Sequence, residues 1–472
     1  MRSKQLLLIS FLGALSTAPS AQTTCTAGQF DTTFGPIASG GYVQVSPWYK
    51  APNANVNLEG LVFGSDNNIY VPTPVAVDQV NGPYAGVLRT SRSGAIDRGY
   101  GGFGFVAPDG QALPTERGSA ASTIAQDPNG NLIAVVINSS GFAVSRFLPG
   151  GEIDSSFGVA GSTQVNQALQ WVILGVDTAP DGSVFVATAA KNPSAPNREQ
   201  PVVVKLSPSG ALDPAFGVGG VAFVYPAGYA PLSWGRARDV KRLGNGDLVI
   251  SGNFRVPDLT PSAAHWLAYV ARLHGDGTLD TTFGTGGFAI VDHSSSDQSL
   301  NARKLAIQSD GKIVAVGGGS PGPTVSLGTA GDVAIAYRFR TDGTLDPSFG
   351  SGGISQIQTG HCAGAAFVAL QNNGKILAST SVSPDETCAT GTWAIARLTT
   401  SGQLDPVFGT GGFATVPPGG PTAGKQINLA SIAMAGNGKI VISGGAFDQV
   451  NPGSPAAAFL FAVDAGTGAG CR

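Results

Sequence analysis

The segment Leu279–Gly287 reads LDTTFGTGG, and shorter versions of it recur along the chain of 472 residues. The shared core is an apolar residue, an aspartate, two variable residues, an aromatic residue and a glycine. The aspartates of the seven copies are Asp31, Asp97, Asp154, Asp213, Asp280, Asp346 and Asp405. Their spacings are 66, 57, 59, 67, 66 and 59 residues, which indicates a tandem repeat with a period near 60.

Two further signals accompany this phrase. About 30 residues after each aspartate, a tight turn leads into an apolar run, as in Asp310-Gly-Lys-Ile313. Asn-Gly or Asp-Gly between apolar runs predicts a β-hairpin, and we expect a type I′ turn with positive φ at both central residues. The next strand ends in a basic residue eight positions before the following aspartate, at Arg89, Arg146, Lys205, Arg272, Arg338 and Arg397.

One period therefore encodes four strands, here named A to D. Strand A leads into the Asn/Asp-Gly turn, B follows it, C ends in the basic residue, and D follows the Phe-Gly pair. Seven such units predict an all-β, seven-bladed β-propeller of four-stranded blades, formed by residues 22–472 as a single domain. The repeat pattern begins with a lone D-type element and ends with a blade that lacks its D strand. We therefore expect the N-terminal strand to complete the last blade.

The two motifs in register, Leu-Asp-x-x-Phe-Gly-x-Gly-Gly and Asp-Gly-Lys-Ile, resemble the delta-60 repeat of bacterial exported β-propeller-like proteins. The resemblance covers about residues 28–463. It implies a propeller-like exported protein. It implies no catalytic residue, because the family carries no single agreed activity.

The composition fits this architecture and excludes several functional classes. Glycine accounts for 68 of 472 residues and charged residues for only 12%, whereas an ordinary globular chain has about 25% charged residues. Apolar residues make up 42%, enough for a large core. The formal charge of −3 and the lack of basic runs argue against nucleic-acid binding.

The N-terminus has the pattern of an export signal over residues 1–21. Arg2 and Lys4 precede an apolar run at 6–15, and small residues around Ala21 suit cleavage. The run is shorter than the roughly 20 residues that span a bilayer, so no membrane insertion is predicted. We expect a monomer that is secreted, periplasmic or displayed at the cell surface.

Residues that recur from repeat to repeat are predicted to stabilise the fold and not to take part in chemistry. The aspartate carboxylate can accept backbone N–H bonds in its turn. The following aromatic ring is expected to pack between blades, and the basic residue to pair with the aspartate of its own or a neighbouring blade. Repeated ion binding is the alternative.

The D–A and B–C loops vary in length, and they share one face of the ring, here named the variable face. Such loops on a rigid scaffold are favoured places for binding residues. On the inner strands, Asp177 is expected in one row with Lys241 of the next blade, and Asp239 with Lys304. These charges indicate either structural ion pairs or a polar ligand site. The candidate ligand-binding residues are Trp234, Trp266, His293, Asp177, Asp239, Lys241, Arg303 and Lys304.

No catalytic residues, metal or cofactor follow from the sequence, which has no phosphate-binding loop and no Cys-x-x-Cys pair. The leading hypothesis is a non-enzymatic binding scaffold whose variable face engages a carbohydrate or a protein. The second is a propeller enzyme, a hydrolase or sugar-oxidising enzyme, with its site at the channel mouth. The third is a surface-structural protein without a small ligand.

The four cysteines allow three pairings. Cys25 precedes the first D strand and Cys471 follows the final C strand, so a closed ring brings them to the same turn. Cys362 and Cys388 fall in the D–A and B–C loops of one blade. We predict the disulfides Cys25–Cys471 and Cys362–Cys388.

Overall fold

The computed structural model describes most of the repeat region. It covers residues 27, 29, 34, 42–44, 60–76, 83–102, 105–106, 121–138, 141–165, 175–192, 195–226, 234–255, 266–291, 299–320, 333–357, 364–382, 392–415, 426–435, 438–447 and 457–466. The predicted export signal and all four cysteines lie outside these residues.

The described strands form seven antiparallel sheets, and each sheet is one blade. Blade one contains β2 (Val62–Phe63), β3 (Ile69–Ala76), β4 (Pro83–Thr90) and β5 (Phe105–Val106), with a short 3-10 helix at Tyr100–Gly102. Blade two contains β6 (Ala121–Gln126), β7 (Leu132–Asn138), β8 (Gly141–Phe147) and β9 (Ser162–Val165). Blade three contains β10 (Gly175–Thr178), β11 (Val184–Asn192), β12 (Ala195–Leu206) and β13 (Val221–Phe223).

Blades four to seven continue this order. Blade four contains β14 (Trp234–Arg242), β15 (Leu248–Arg255), β16 (Trp266–Leu273) and β17 (Phe288–Val291). Blade five contains β18 (Ser299–Leu300) and β19 (Lys304–Ile307), which both pair with β20 (Ile313–Ser320), then β21 (Val333–Phe339) and β22 (Ile354–Ile357). Blade six contains β23 (Ala365–Leu370), β24 (Ile376–Val382), β25 (Thr392–Leu398) and β26 (Phe413–Thr415). Blade seven contains β27 (Gln426–Met434), β28 (Lys439–Phe447) and β29 (Ala457–Asp464), and β1 (Tyr42–Gln44) pairs with β29.

The predicted all-β, seven-bladed propeller is confirmed. The A strands of neighbouring blades contact one another around the ring, so they are the innermost strands. Blade seven also contacts blade one, where Leu61 donates its backbone N–H to Ser431 Oγ at 3.0 Å. The B strands are nearly continuous apolar runs, as in β20, because a neighbouring blade covers each of their faces.

The A–B turns differ from the prediction in one respect. In blade five, Gly311 N donates to Gln308 O at 2.9 Å and Gln308 N to Lys312 O at 2.8 Å. Only the glycine has positive φ, +81° at Gly311, while Asp310 before it does not. The type I′ prediction is therefore wrong. The loop is one residue longer than a two-residue hairpin, and a type I turn closed by a left-handed glycine suits that length.

The aromatic residue of each repeated phrase packs between two blades, as predicted. Phe283 is fully buried in one cluster with Val249 and Val270 of blade four and Ile313 and Tyr337 of blade five. Burying such a ring stabilises the fold by about 1.5–3 kcal/mol relative to leaving it exposed. Equivalent clusters lie at the other blade boundaries, so the core is a ring of interblade cores.

The predicted pair between the basic residue and the aspartate is also confirmed, and it lies within each blade. The six pairs have N···O distances of 2.6–2.9 Å: Arg89–Asp97, Arg146–Asp154, Lys205–Asp213, Arg272–Asp280, Arg338–Asp346 and Arg397–Asp405. Each of the five arginines also donates through Nη1 to a carbonyl of the next blade, at 2.5–2.8 Å. Each of these guanidinium groups lies 4.4–4.9 Å from the ring centre of the phrase's aromatic residue. One side chain thus joins the turn, the interblade core and the next blade.

Candidate functional site

Six of the seven innermost strands line a cavity of about 260 Å³ in the centre of the ring. Its polar lining includes Thr123, Gln126, Asp177, Asp239, Lys241 and Lys304. Its apolar lining includes Leu61, Ile124, Val176, Leu305, Phe367 and Val368. Four of the eight predicted ligand-binding residues, Asp177, Asp239, Lys241 and Lys304, therefore lie in one cavity.

A recurring β-bulge helps to place these side chains. The inner strands of blades two, four, six and seven each shift register by one residue, just before Thr123, Asp239, Phe367 and Ser431. A bulge bends its strand and redirects the side chains that follow it. In blade five, a break between β18 and β19 precedes Lys304 at the same place. The cavity residues of four blades thus occupy one ring of equivalent positions.

The carboxylate of Asp239 is held on both sides. Its Oδ2 accepts a hydrogen bond from the backbone N–H of Leu305 in blade five at 3.1 Å, and its Oδ1 lies 3.8 Å from Lys241 Nζ. Gly175 of blade three leaves room for it, because a Cβ added there would lie 2.5 Å from Asp239 Oδ1. The side chain is only 5% exposed, so its orientation is fixed before any ligand arrives.

Asp177 joins blade three to blade four in the same way. Its Oδ2 accepts a hydrogen bond from the backbone N–H of Arg242 at 2.6 Å. Burial raises the pKa of Asp177 and outweighs the opposing attraction of the Lys241 ammonium. Burial also opposes the charge of Lys241, but Asp239 and Asp177 outweigh it and raise the pKa of Lys241. The lysine stays charged, while Asp177 binds a proton more readily than an exposed aspartate.

The remaining predicted residues are dispersed. The Lys304 ammonium lies 5.4 Å from the ring centre of Phe367 in blade six. Arg303 is exposed and is not part of the cavity lining, so its role as a ligand-binding residue stays a prediction. It lies in the break between β18 and β19. His293 lies outside the described residues.

Trp234 and Trp266 also lie away from the cavity lining. Trp234 is the first residue of β14 rather than part of a loop, and it lies seven residues before Lys241 on the same strand. Trp266 is the first residue of β16. Both are half-buried, and both lie in register with Arg255, the last residue of β15. These three residues form a row at the variable face of blade four, and no sequence motif marks its arginine.

An interblade ion pair lies next to this row. Arg236, two residues after Trp234, donates through Nε to Glu199 Oε2 of blade three at 2.7 Å. The Glu199 side chain is 6% exposed. The Arg236 backbone carbonyl accepts from the Tyr269 hydroxyl at 3.2 Å. The pair thus links the outer part of blade three to the inner strand of blade four.

A third group lies on the opposite face, at the turns of blade four. Ligand atoms of Asp247, His274 and Asp280 lie within 4.8 Å of one another, a spacing that a metal ion could bridge. Asp280 Oδ2 already accepts from Arg272 at 2.6 Å, and its Oδ1 accepts from Thr282. His274 Nδ1 lies 3.4 Å from Asp247 Oδ1. No local ligand spacing in the sequence marks this group, and no metal is predicted from the sequence.

Similarity to known proteins agrees with the repeat architecture. A family model described as a domain of unknown function (DUF5122) beta-propeller matches residues 267–283 and 308–349 of blades four and five. These two segments are similar to the repeats of that β-propeller domain. The match does not single out the delta-60 repeat family. No curated protein matches the chain.

The solved structures to which the chain is similar have low sequence identity to it. One is a protein of unknown function from Dyadobacter fermentans, 12% identical over 90% of this chain and 99% of that chain, with a TM-score of 0.42. Another is the polysaccharide lyase Uly1, 10% identical over 89% and 91%, with a TM-score of 0.47. A third is the α-L-arabinofuranosidase Arb93A from Fusarium graminearum, 10% identical over 90% and 98%, with a TM-score of 0.43.

Helices are scarce in the part of the chain that the structure describes. Within that part, none is both long and apolar enough to span a lipid bilayer.

Proposed function

We propose that this propeller is an exported binding scaffold that holds one unit of a carbohydrate in its central cavity. The observation that carries the proposal is the composition of the cavity wall. Asp177, Asp239, Lys241 and Lys304, from three successive blades, line one side of a space of about 260 Å³. Leu61, Ile124 and Phe367, from three other blades, line the rest.

The charges favour a neutral, hydroxyl-rich ligand. Two carboxylates and two ammonium groups balance one another, so the cavity has no net charge to attract an ion. Carboxylates accept hydrogen bonds and ammonium groups donate them, and a hydroxyl group can do both. A sugar ring combines such hydroxyls with an apolar face, which suits a wall that is partly polar and partly apolar.

Lysine substitutions within one blade test this proposal. Lys304→Ala removes an ammonium from the cavity, and Lys312→Ala removes one from the opposite turn of the same blade. We expect a neutral saccharide found on a glycan array to bind Lys304→Ala at least tenfold more weakly by calorimetry and Lys312→Ala unchanged. If both variants bound every glycan with equal affinity, the proposed ligand site in the central cavity would be contradicted. An array without any bound glycan would favour a surface-structural role.

An enzyme is the second candidate, because two carboxylates with different environments share the cavity. Burial raises the pKa of Asp177, and paired carboxylates of unequal pKa are typical of glycoside hydrolysis. Both carboxylates already accept backbone hydrogen bonds, which is why binding is the first proposal. An enzyme would release reducing ends from a polysaccharide. This release should be abolished by Asp177→Asn and should be unchanged in the control Asp342→Asn, which lies in the C–D turn of blade five.

Ring closure is the structural part of the proposal. The N-terminal strand completes blade seven, supported by the pairing of Tyr42, Val43 and Gln44 with β29. Deleting residues 22–45 should leave an unpaired edge on blade seven and cause aggregation. A shortened protein that stays monomeric with unchanged melting would contradict this role.

Export, partners and cysteine pairing complete the proposal. We place the mature protein outside the cytoplasm as a monomer whose ligand is a carbohydrate, with a protein partner as the alternative. Its disulfides would then form in an oxidising compartment. Fractionation of cells that express the full chain, followed by mass measurement of the exported form, tests the export step and the cleavage near Ala21.

A further inference from the structure

On the face of the ring that carries the A–B and C–D turns, a lysine lies beside the aspartate of the repeated phrase in two blades. In blade six, Lys375 Nζ lies 2.7 Å from Asp405 Oδ2, and Arg397 Nε lies 2.8 Å from the same oxygen. In blade five, Lys312 Nζ lies 3.6 Å from Asp346 Oδ2, which the arginine of that blade also contacts. The aspartate of the phrase therefore contacts two cationic groups at once, its arginine and a second one from the A–B turn.

Blade four keeps the arginine and the aspartate but replaces the lysine. Arg272 Nε lies 2.6 Å from Asp280 Oδ2, whereas the residue after the glycine of the A–B turn is Asp247. His274 follows the C strand, and its Nδ1 lies 3.4 Å from Asp247 Oδ1. Ligand atoms of Asp247, His274 and Asp280 all lie within 4.8 Å of one another. Two carboxylates and an imidazole are thus grouped where blades five and six hold an ammonium.

The formal charges at this place show what blade four lacks. In blade six, one arginine and one lysine contact one aspartate, so the group carries +1. In blade four, Arg272 stands against two aspartates, so the group carries −1 when the imidazole is neutral. The Asp247 and Asp280 side chains are 18% and 6% exposed, so water screens their repulsion only in part. A divalent cation between them restores the charge of +1 found in blade six.

The two replacements coincide in one blade. Asp247 follows the A–B turn, and His274 follows the C strand. In the other six blades, the first position holds asparagine, serine or lysine, and the second never holds histidine. Carboxylate and imidazole are both metal ligands. Blade four therefore differs from the other blades by gaining two ligand types at positions that meet in space.

The donor set favours zinc over calcium or magnesium. Calcium and magnesium prefer oxygen ligands, whereas zinc binds imidazole nitrogen together with carboxylate oxygen. Two ligands of a tetrahedral zinc ion lie about 3.4 Å apart, given bonds of roughly 2.0–2.2 Å. His274 Nδ1 and Asp247 Oδ1 already have this separation. Arg272 and Thr282 hold Asp280 in place, while the His274 side chain is 50% exposed and has room to turn toward it.

We propose that Asp247, His274 and Asp280 bind one zinc ion, which joins the A–B and C–D turns of blade four as Lys375 joins those of blade six. The protein ligands are His274 Nδ1, a carboxylate oxygen of Asp247 and Asp280 Oδ2. Asp405 Oδ2 shows that this oxygen contacts a second cation while it accepts from the arginine. Water completes the tetrahedron on the exposed side of the imidazole.

Calorimetry with zinc chloride tests the site on the mature protein, purified without a histidine tag and treated with EDTA. We expect one zinc ion per chain, and binding of calcium and magnesium at least tenfold weaker. X-ray absorption at the zinc edge should show only nitrogen and oxygen ligands. Absence of binding at millimolar zinc, tighter binding of calcium, or sulfur among the ligands would overturn the proposal.

Side-chain variants assign the ion to blade four. His274→Ala and Asp247→Asn should each weaken zinc binding at least tenfold. The matched controls are His361→Ala, at a histidine outside the group, and Asp342→Asn, in the C–D turn of blade five, and both should bind zinc as the native protein does. His274 is half-exposed, so its replacement should not prevent folding. Native affinity in His274→Ala would refute the site.

Asp247→Lys separates a metal site from a merely acidic surface. Zinc should raise the melting temperature of the native protein, because an ion that binds only the folded state stabilises it. In Asp247→Lys an ammonium takes the place of the ion, so zinc should no longer raise the melting temperature. A rise of equal size in both proteins would show that zinc binds elsewhere. The site is independent of the proposed function of the cavity, and Lys304→Ala should bind zinc with native affinity.

Discussion

The backbone N–H of Gly409 donates to the carbonyl oxygen of Ala27 at 2.8 Å, although these residues belong to the first and last parts of the repeat region. In the preceding blades the equivalent glycine donates to the turn of the next blade, as Gly350 does to Ser401 at 2.8 Å. Residue 27 therefore supplies to blade six the acceptor that a C–D turn supplies elsewhere. Ala27 thus takes the place of the C–D turn that the repeat pattern of blade seven lacks. This contact is part of the basis for the proposed closure of the ring.

Phe34 provides a test of closure by a single side chain. It is 2% exposed and packs with Leu61 of blade one and Leu460 of blade seven. Phe34→Ala should lower the free energy of unfolding by about 3–5 kcal/mol, because a large buried ring leaves a cavity. Val218→Ala is the control, since Val218 is 84% exposed. Equal urea midpoints for both variants would show that the N-terminal segment contributes nothing to closure.

The buried ion pair of blade five predicts unequal effects of two substitutions. The Arg338 and Asp346 side chains are 6% and 4% exposed. Arg338→Met leaves the carboxylate without its arginine and should cost about 3–5 kcal/mol. Arg338→Lys should cost less, because blade three already holds the pair Lys205–Asp213 at 2.8 Å. Urea unfolding of the two variants measures the difference, and an equally large loss in both would contradict the prediction.

The same aspartates predict acid sensitivity. Burial opposes ionisation of Asp346, but hydrogen bonds from Ser348 and the charges of Arg338 and Lys312 outweigh it and lower its pKa to about 2. An aspartate whose folded pKa lies below its unfolded value stabilises the fold above the unfolded pKa, near 4, and loses that contribution as pH falls toward 2. The pKa values of Asp154, Asp213, Asp280 and Asp405 are lowered too.

We therefore expect the free energy of unfolding to fall steeply between pH 4 and pH 2. Urea titrations at several pH values in this window measure the slope. A constant free energy across the window would mean that the aspartates are not ionised partners in the folded protein. Asp346→Asn should reduce the slope, because it removes one of the titrating groups.

Blade four lacks a lysine that blades five, six and seven have after the glycine of the A–B turn, at Lys312, Lys375 and Lys439. Lys375 Nζ lies 2.7 Å from Asp405 Oδ2 in blade six, whereas the equivalent residue of blade four is Asp247, close to Asp280. Asp247→Lys should form the missing pair and stabilise the protein by about 0.5–1 kcal/mol. Asp247→Asn removes the like charge without adding a pair, so it should give a smaller gain in melting temperature. A gain no larger for lysine than for asparagine would mean that the pair does not form.

Local signals made the architecture predictable. The phrase, the Asn/Asp-Gly turn and the terminal basic residue recur in most units, so a unit in which one signal is degenerate is still recognised from the others and from its spacing. The pair of Arg338 with Asp346 followed from a fixed spacing of eight residues within one hairpin. The turn subtype did not follow, because it depends on loop length by a single residue.

The cavity was predictable only in part. Asp177 and Lys241 stood out because charge is rare on inner strands, whereas Thr123 and Phe367 resemble any other strand residue. A bulge of one residue decides which inner side chains face the cavity, and no residue type marks it. Arg255 was missed for a different reason, since its tryptophan neighbours come from two other strands and only the pairing register brings the three together.

The cysteine pairing stays a prediction, and the geometry near both ends of the repeat region gives it a physical basis. A Cβ added at Gly466 would lie 2.3 Å from the Cβ of Ala27, so these two backbones are in contact. Cys25 is two residues from Ala27 and Cys471 is five residues from Gly466, and a residue spans at most about 3.6 Å of extended chain. The two thiols are therefore within reach of each other.

A Cys25–Cys471 disulfide would close a loop of nearly the whole chain and stabilise the fold by about 5 kcal/mol in the chain-entropy description. We expect non-reducing peptide mapping of the exported protein to show Cys25–Cys471 and Cys362–Cys388. Cys471→Ser should lower the melting temperature under non-reducing conditions and match the native protein once both are reduced. A peptide that joins Cys25 to Cys362 or Cys388 would contradict both the pairing and the closure, because neither loop cysteine belongs to the blade where the ring closes.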